Sequence, residues 1–222
     1  MNDSNEYLFT TGIALLDKGG PVMAILVVFS VIALAIILLK IYQFWTIKLG
    51  STKFIDAAIL QLSNNSSVQA LTELEGNRHP GANVLISVIE SSNNKEMSAS
   101  DVETEVSRVG TREIKNLERY LRGLEVIANL SPLLGLLGTV LGMIKAFARL
   151  ETAGTNVDPA ILAGGIWEAL LTTAFGLSVA IPSLAAFYLL EGKVANCRAV
   201  LEDSATRTLS ILRRQTQTKS TK

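Results

Sequence analysis

Apolar and polar positions fall along this chain in long blocks, not in the short alternations of strands. Three blocks carry no charge: Pro21 to Leu39, which ends at Lys40; Val126 to Ile144, between Glu125 and Lys145; and Ala169 to Leu190, between Glu168 and Glu191. Each has about the 20 residues that an α-helix needs to cross roughly 30 Å of hydrocarbon. Three buried core helices would be the alternative, but the remainder of the chain is too small and too polar to wrap them. The pattern predicts an all-α membrane protein with transmembrane helices at 21–39, 126–144 and 169–190.

The segments between the spans carry a helical period. From Ile55 to Ile89, Phe54, Ala58 and Leu62 and then Val84, Leu85, Val88 and Ile89 mark short amphipathic helices. Ser63 to Ser67, Gly76 to Gly81 and Ser91 to Asn94 read as connections. Ser100 with Glu103 three residues on fits a capping box that starts a long helix. Val102, Val106, Val109, Ile114, Leu117, Leu121 and Leu124 continue it without a strong breaker into the second span. Uninterrupted from Ser100 to Phe147, that helix would be roughly 70 Å long, so half of it must leave the bilayer. Asp158 as N-cap and Pro159 at the first helical position start the third long helix. Beyond the membrane, Val194, Cys197, Leu201, Ala205, Thr208 and Leu212 extend an apolar stripe to Arg214. Both long helices overshoot on one side, which predicts a helical stalk and favours oligomerisation.

Charge distribution orients the spans. Lys18 is the one Lys or Arg before the first span; ten lie from Lys40 to Glu125, two between the later spans (Lys145 and Arg149), and seven after Glu191. By the positive-inside rule the head and the short link are outside and the long loop and tail are cytoplasmic. The predicted order is a periplasmic head at 1–20, the first span, a cytoplasmic helical domain at 40–125, the second span, a link and helix start at 145–168, the third span, and a cytoplasmic tail at 191–222. Asp3, Glu6 and Asp17 oppose Lys18 in the head, so the first span reads as an anchor and not as a cleaved signal peptide. Tyr7, Leu8, Phe9, Ile13, Leu15 and Leu16 suit the interface before Gly19-Gly20-Pro21 turns the chain inward. Tyr42, Phe44 and Trp45 form an aromatic anchor at the other end. Net charge is zero, 49% of residues are hydrophobic and 18% are charged, too apolar a balance for a soluble domain of this size.

Candidate chemistry lies in the second and third spans. Ala128, Ser131, Gly135, Gly138, Gly142 and Ala146 recur every three or four residues, as do Gly165, Ala169, Thr173, Gly176, Ala180 and Ser183, so each set occupies one helix face. Such stripes pack helices closely in lipid, and they also suit the wall of a narrow pore; both roles stay open. Thr173 lies on the small face of its helix, with Thr172 next to it, and Thr139 sits beside the small face of the second span. Their hydroxyls can bond a carbonyl one turn back, or position a proton, a cation or a partner's carboxylate. Glu168 is about 15 Å along the helix from Asp158. An ionisable group at that depth is a functional candidate, against the alternative of an interfacial carboxylate beside Trp167. Asn129, Pro132 and Pro182 read as structural, Pro182 as a kink.

Other chemistries find no residues. His79, the single histidine, stands in a loop beside Pro80, which leaves no His-based triad and no Cys/His metal cluster. The lone Cys197 permits no disulfide within one chain. No glycine-rich phosphate loop and no nucleophile–base pair occurs, so no enzyme activity, no cofactor, no metal and no nucleic-acid partner are expected. A membrane gradient is then the available energy source. With one carboxylate near the membrane core, any proton relay would borrow an acid from a partner.

The run Leu133 to Phe147, followed by Gly165 to Leu177 (GIWEALLTTAFGL) and Ile181-Pro182, resembles the MotA/TolQ/ExbB proton-channel family. The resemblance covers about 100–214 in motif and 1–99 in layout. Three spans and one large cytoplasmic loop are similar to the ExbB/TolQ branch, and the wording around Trp167 and Phe175 is nearer ExbB-like transport proteins. The resemblance implies a multi-pass inner-membrane protein forming a homo-oligomer, a pentamer, around the single-span helix of an ExbD- or TolR-type partner. That partner would bring the proton-carrying aspartate, and the movement would pass to a TonB- or TolA-type protein. It also implies that Thr139 and Thr173 match the family's functional threonines and Glu168 its intramembrane glutamate. Thr172 is an additional hydroxyl where alanine is often found. A TolQ-type role and a non-conducting membrane scaffold remain the alternatives.

Overall fold

A computed structural model describes the backbone of residues 3–64, 66–94, 96–153 and 159–220, and their side chains except at 3–19, 152–153, 161 and 216–220. Among these residues there are helices and no strand: α1 (Asp3–Thr46), α2 (Lys53–Ser63), α3 (Ser67–Leu74), α4 (Pro80–Asn93), α5 (Ala99–Glu118), α6 (Leu121–Ala153) and α7 (Pro159–Ser220). α1, α6 and α7 contain the three stretches long and apolar enough to cross a membrane. The chain is an all-α membrane protein.

Contacts divide it into two units, 1–38 with 120–188, and 39–119 with 189–222. In the first, α1 bends at Gly20, whose φ of 63° lies in the left-handed region that glycine tolerates. Pro21 follows, where its missing N–H and fixed φ suit the first turn of a helix. Val22, Met23, Leu26 and Ala33 are buried, while Val28, Val31, Leu34 and Leu38 are exposed, as a lipid-facing side requires. The side chains of Tyr7 to Leu16, expected at the interface, and the Asp158 cap lie outside what is described.

The second unit has a soluble-type core. Ile55, Ala58, Ile59 and Leu62 of α2, Ala70 and Leu74 of α3, and Val84, Leu85, Val88 and Ile89 of α4 are buried, with Val102, Val106, Val109, Ile114 and Leu117 of α5. Each large aliphatic side chain removed from water contributes about 1.5–3 kcal/mol. α5 and the distal part of α7 run antiparallel: Arg198 meets Glu118 at 2.6 Å, and Arg213 meets Glu103. These ion pairs are exposed and fix register more than stability. The apolar stripe of α7 is buried at Val194, Cys197, Leu201, Thr208 and Leu212. Burial, and then the nearby charge of Glu113, push the Cys197 thiol up to about 11, so it is a packing residue and not a nucleophile.

Four local expectations change. The long helix starts two residues earlier, because Ser98 and not Ser100 caps it. The Ser98 hydroxyl accepts from the Asp101 N–H, and the Asp101 carboxylate accepts from the Ser98 N–H, a reciprocal box two residues before the expected one. Ser91 to Asn93 continue α4 instead of forming a loop, since packing buries Val88, Ile89 and Ser91. His79 is no free loop residue but the buried N-cap of α4. Its Nδ1 accepts from the Gly81 N–H at 2.9 Å and its Nε2–H donates to the Leu49 carbonyl at 3.2 Å.

The last change is the largest. The helix from α5 into the second span is broken: Arg119 leaves helical geometry with ψ 132°, and Tyr120 has φ 70°. Tyrosine is an uncommon residue in that region. Lys40 meets the end of α5 just before the break. Its ammonium is buried and donates to the Leu117 carbonyl and to Gln43 Oε1, both at 2.8 Å, capping the carboxyl end of α5. α7, in contrast, is one helix through Pro182.

His79 makes the second unit acid-sensitive. Burial holds its pKa below the ordinary 6.5, with the Leu49 bond opposing more weakly. The folded state therefore binds this proton less well than the unfolded chain. The contribution is complete above about 6.5 and is lost as pH falls from there through the depressed folded value. In circular-dichroism melts between about pH 7.5 and 5.5, the full chain should lose more stability than His79→Asn, which keeps a neutral cap. Equal losses in both proteins would rule this out.

Candidate functional site

The site is built where α6 and α7 cross. Small residues let the two backbones touch. A Cβ on Gly135 would lie 3.0 Å from both the Thr172 carbonyl oxygen and the Thr173 Cα, and one on Gly176 would lie 2.6 Å from the Ser131 carbonyl oxygen. Gly138 faces the Thr172 side chain, Gly142 faces Ala169, and Gly165 faces Ala146. The two small stripes meet each other, antiparallel, over about four turns.

Close contact leaves the hydroxyls little but backbone carbonyls to bond. Thr139 Oγ1 contacts Thr173 Oγ1, and it lies 3.2 Å from the carbonyl oxygens of Gly135 and Ala169. Thr173 Oγ1 donates to the Gly135 carbonyl at 2.9 Å. Thr172 Oγ1 donates to the Ala169 carbonyl at 2.7 Å and lies 3.3 Å from that of Gly135. Three hydroxyls thus converge on the Gly135 carbonyl, whose oxygen has only two lone pairs. Each threonine has one proton to give. When Thr173 donates to Gly135, Thr139 can donate to Thr173; when the pair reverses, Thr139 turns its proton to a carbonyl. A hydroxyl pair with two proton arrangements can hand hydrogen bonds along a line.

The candidate residues differ in access. Thr172 is 2% exposed, sealed over Gly138 and satisfied by its own helix. Thr139, Thr173 and Glu168 are half-buried, so part of each faces out of the helix pair. Glu168 does not join the Thr139–Thr173 pair. With Gly20, Gly138, Gly142, Lys145 and Thr172 it lines a cavity of about 20 Å³, room for roughly one water. Lys145 was legible only as the end of a span. Its Nζ lies 3.9 Å from where a Gly20 Cβ would be, so the α1 bend lies beside this α6 cation at the glutamate's cavity. A charge ending an apolar run, on the same face as Gly138 and Gly142, was the signal for it.

A helical membrane protein whose second and third spans meet through glycines around an intramembrane hydroxyl cluster falls in the class of multi-pass channel-type proteins. The comparisons are more particular: residues 76–203 match the MotA/TolQ/ExbB proton channel family, and the chain belongs to it. It is 30% identical over 198 residues to the biopolymer transport protein ExbB of Salmonella typhimurium, across 85% of this chain and 79% of that one. An ExbB homologue of Methanothermobacter thermautotrophicus is 29% identical over 187 residues, 84% of this chain but 65% of that protein. The Tol-Pal system protein TolQ of Haemophilus influenzae is 43% identical over 76 residues, 34% of this chain and 33% of that one.

The packing is testable at one atom. A Cβ on Gly138 would sit 2.5 Å from Thr172 Oγ1 and 2.7 Å from its Cβ, whereas one on Gly164 meets nothing within 4 Å. Gly138→Ala should cost about 1–3 kcal/mol in unfolding from micelles, with part of the loss recovered by adding Thr172→Ala. Gly164→Ala should be neutral or slightly stabilising. A neutral Gly138→Ala would show that the helices do not touch there.

Proposed function

We propose that this protein is the proton-channel subunit of an ExbB-type motor in the inner membrane, with its amino terminus outside and its carboxyl terminus cytoplasmic. It assembles as a homo-oligomer, a pentamer, around the single-span helix of an ExbD-type partner. The proton motive force drives movement in that complex, which energises a TonB-type protein for import across the outer membrane. The role is that of a channel wall and not of an enzyme.

The observation that carries this reading is the Thr139–Thr173 pair over the Gly135 carbonyl. The two hydroxyls are half-buried in one chain, unlike the sealed Thr172. A carboxylate brought by a partner could therefore hydrogen-bond to them from outside the helix pair. The pair offers hydrogen-bonding groups and no acid, which fits a wall that needs a partner's proton carrier. Glu168, with Lys145 across a water-sized cavity, supplies fixed charge nearer one end of the spans. The TolQ match supports a second reading, a TolQ-type subunit with a TolR-type and a TolA-type partner serving envelope integrity. Complementation of strains lacking ExbB or TolQ separates the two.

In vesicles holding the chain with its single-span partner, an imposed pH gradient should drive proton flux. Thr139→Val, Thr173→Val and Glu168→Ala should each lower it to the level of protein-free vesicles while the complex still purifies intact. Changing the partner's membrane aspartate to asparagine should do the same. Undiminished flux in all four would overturn the pathway, and no flux with the unaltered pair would leave the chain a scaffold.

A further inference from the structure

The turn that ends α1 builds a cavity that the proton pathway does not use. Trp45 and Tyr42 are 79% and 67% exposed at the end of the first apolar helix. Past them, Lys48 adopts φ 49°, and the Leu49 N–H bonds back to the Phe44 carbonyl, folding residues 46–51 against α1. With Leu190, Lys193 and Asn196 of α7 they line an open cavity of about 910 Å³, within the range of small-ligand sites.

Its lining has one charge sign. Lys48 and Lys193 contribute two cations and none of the other lining residues is acidic. Apolar surface comes from Ile41, Trp45 and Leu190, and hydrogen-bonding groups from Tyr42, Ser51 and Asn196. Exposed tryptophan and tyrosine beside lysine, just past the end of an uncharged span, belong at the depth of lipid headgroups. A water-facing pocket would not leave Trp45 so bare, and a buried protein contact would leave both ammonium groups needing acids.

We propose that this cavity is a binding site for an anionic glycerophospholipid of the lysine-rich leaflet. The headgroup phosphate lies between Lys48 and Lys193, and the glycerol and upper acyl chains lie against Ile41, Trp45 and Leu190. Such a lipid would complete the corner where α1 turns, filling a space that protein leaves open. The proposal rests on α1 crossing the bilayer but not on proton conduction, so it stands or falls separately from the flux measurement.

Trp45 is the reporter. The chain has two tryptophans, so Trp167→Phe leaves it alone. The full chain is reconstituted in phosphatidylcholine vesicles with about a fifth of the lipid brominated on the upper acyl chain, as phosphatidylglycerol or as phosphatidylcholine. Two lysines near the surface should enrich the anionic lipid roughly thirtyfold at the site, so brominated phosphatidylglycerol should quench Trp45 well beyond the same fraction of brominated phosphatidylcholine. In the Lys48→Gln/Lys193→Gln variant the two lipids should quench alike. Both lysines are exposed, and unchanged helicity by circular dichroism confirms that the variant folds. Equal quenching in the unsubstituted background would overturn the site, and so would protection from both lipids, which would mean that a second copy of the chain covers it.

Discussion

Hydrocarbon removes the driving force that folds soluble proteins, and the first unit is shaped by what is left. Apolar side chains gain nothing by leaving lipid for each other, so helix pairing depends on close van der Waals contact and on polar bonds. Gly135 against Gly176 is that contact here. Because those two residues lack a Cβ, a carbonyl of one helix reaches the backbone of the next. The same closeness expels water, and a hydroxyl without water must find a carbonyl. The convergence of Thr139, Thr172 and Thr173 on Gly135 follows from the glycines as much as from the threonines. Packing and chemistry are therefore not competing roles for these stripes, since the packing creates the desolvated place in which a hydroxyl pair has a use.

The second unit obeys the other rule. Its core is Leu, Ile and Val drawn from α2, α3, α4 and α5, and the hydrophobic effect in water holds it. Polar devices finish its ends: Ser98 with Asp101, His79 with Gly81, and Lys40 with Leu117. Lys40 is the unusual member. A buried ammonium is costly unless its protons are bonded, and here two of them meet a backbone carbonyl and an amide oxygen while the charge lies 5.7 Å from the centre of the Phe44 ring. The arrangement is sound only because α5 ends there and frees a carbonyl to receive it. The buried lysine and the helix break thus meet at one carbonyl.

What could be read in advance follows from how local each signal is. The three apolar blocks declared themselves because bilayer thickness sets their length, and the facing stripes did because 3.6 residues per turn fixes their spacing. Thr139 and Thr173 stood out as hydroxyls in otherwise apolar runs. The break at Arg119–Tyr120 was invisible, since neither residue is Gly or Pro and the apolar spacing runs through it. The carbonyl it frees is capped by Lys40, distant in sequence, which read as nothing more than the end of a span. Ser100 with Glu103 fitted the capping pattern, but Ser98 with Asp101, the same kind of pair two residues earlier, forms the box. Glu168 was legible as a charge at depth, but its cavity was not, because Lys145 and Gly20 come from two other helices.

A wall made only of hydroxyls and carbonyls has a particular competence. A threonine near neutral pH neither stores a proton nor releases one, but it can accept from one group while donating to another. Such a pair lowers the cost of a carboxylate changing its protonation state beside it, because it can offer that carboxylate a donor when charged and an acceptor when neutral. It cannot drive turnover by itself. Within one chain Glu168 lines a cavity with Lys145 and Thr172, apart from the Thr139–Thr173 pair. On the proposed reading the titrating acid arrives on another helix, and the half-buried Thr139 and Thr173 are where it would be received. On that reading a wall without an acid of its own depends on its partner, and a partner that must move to exchange its proton is one from which work can be taken.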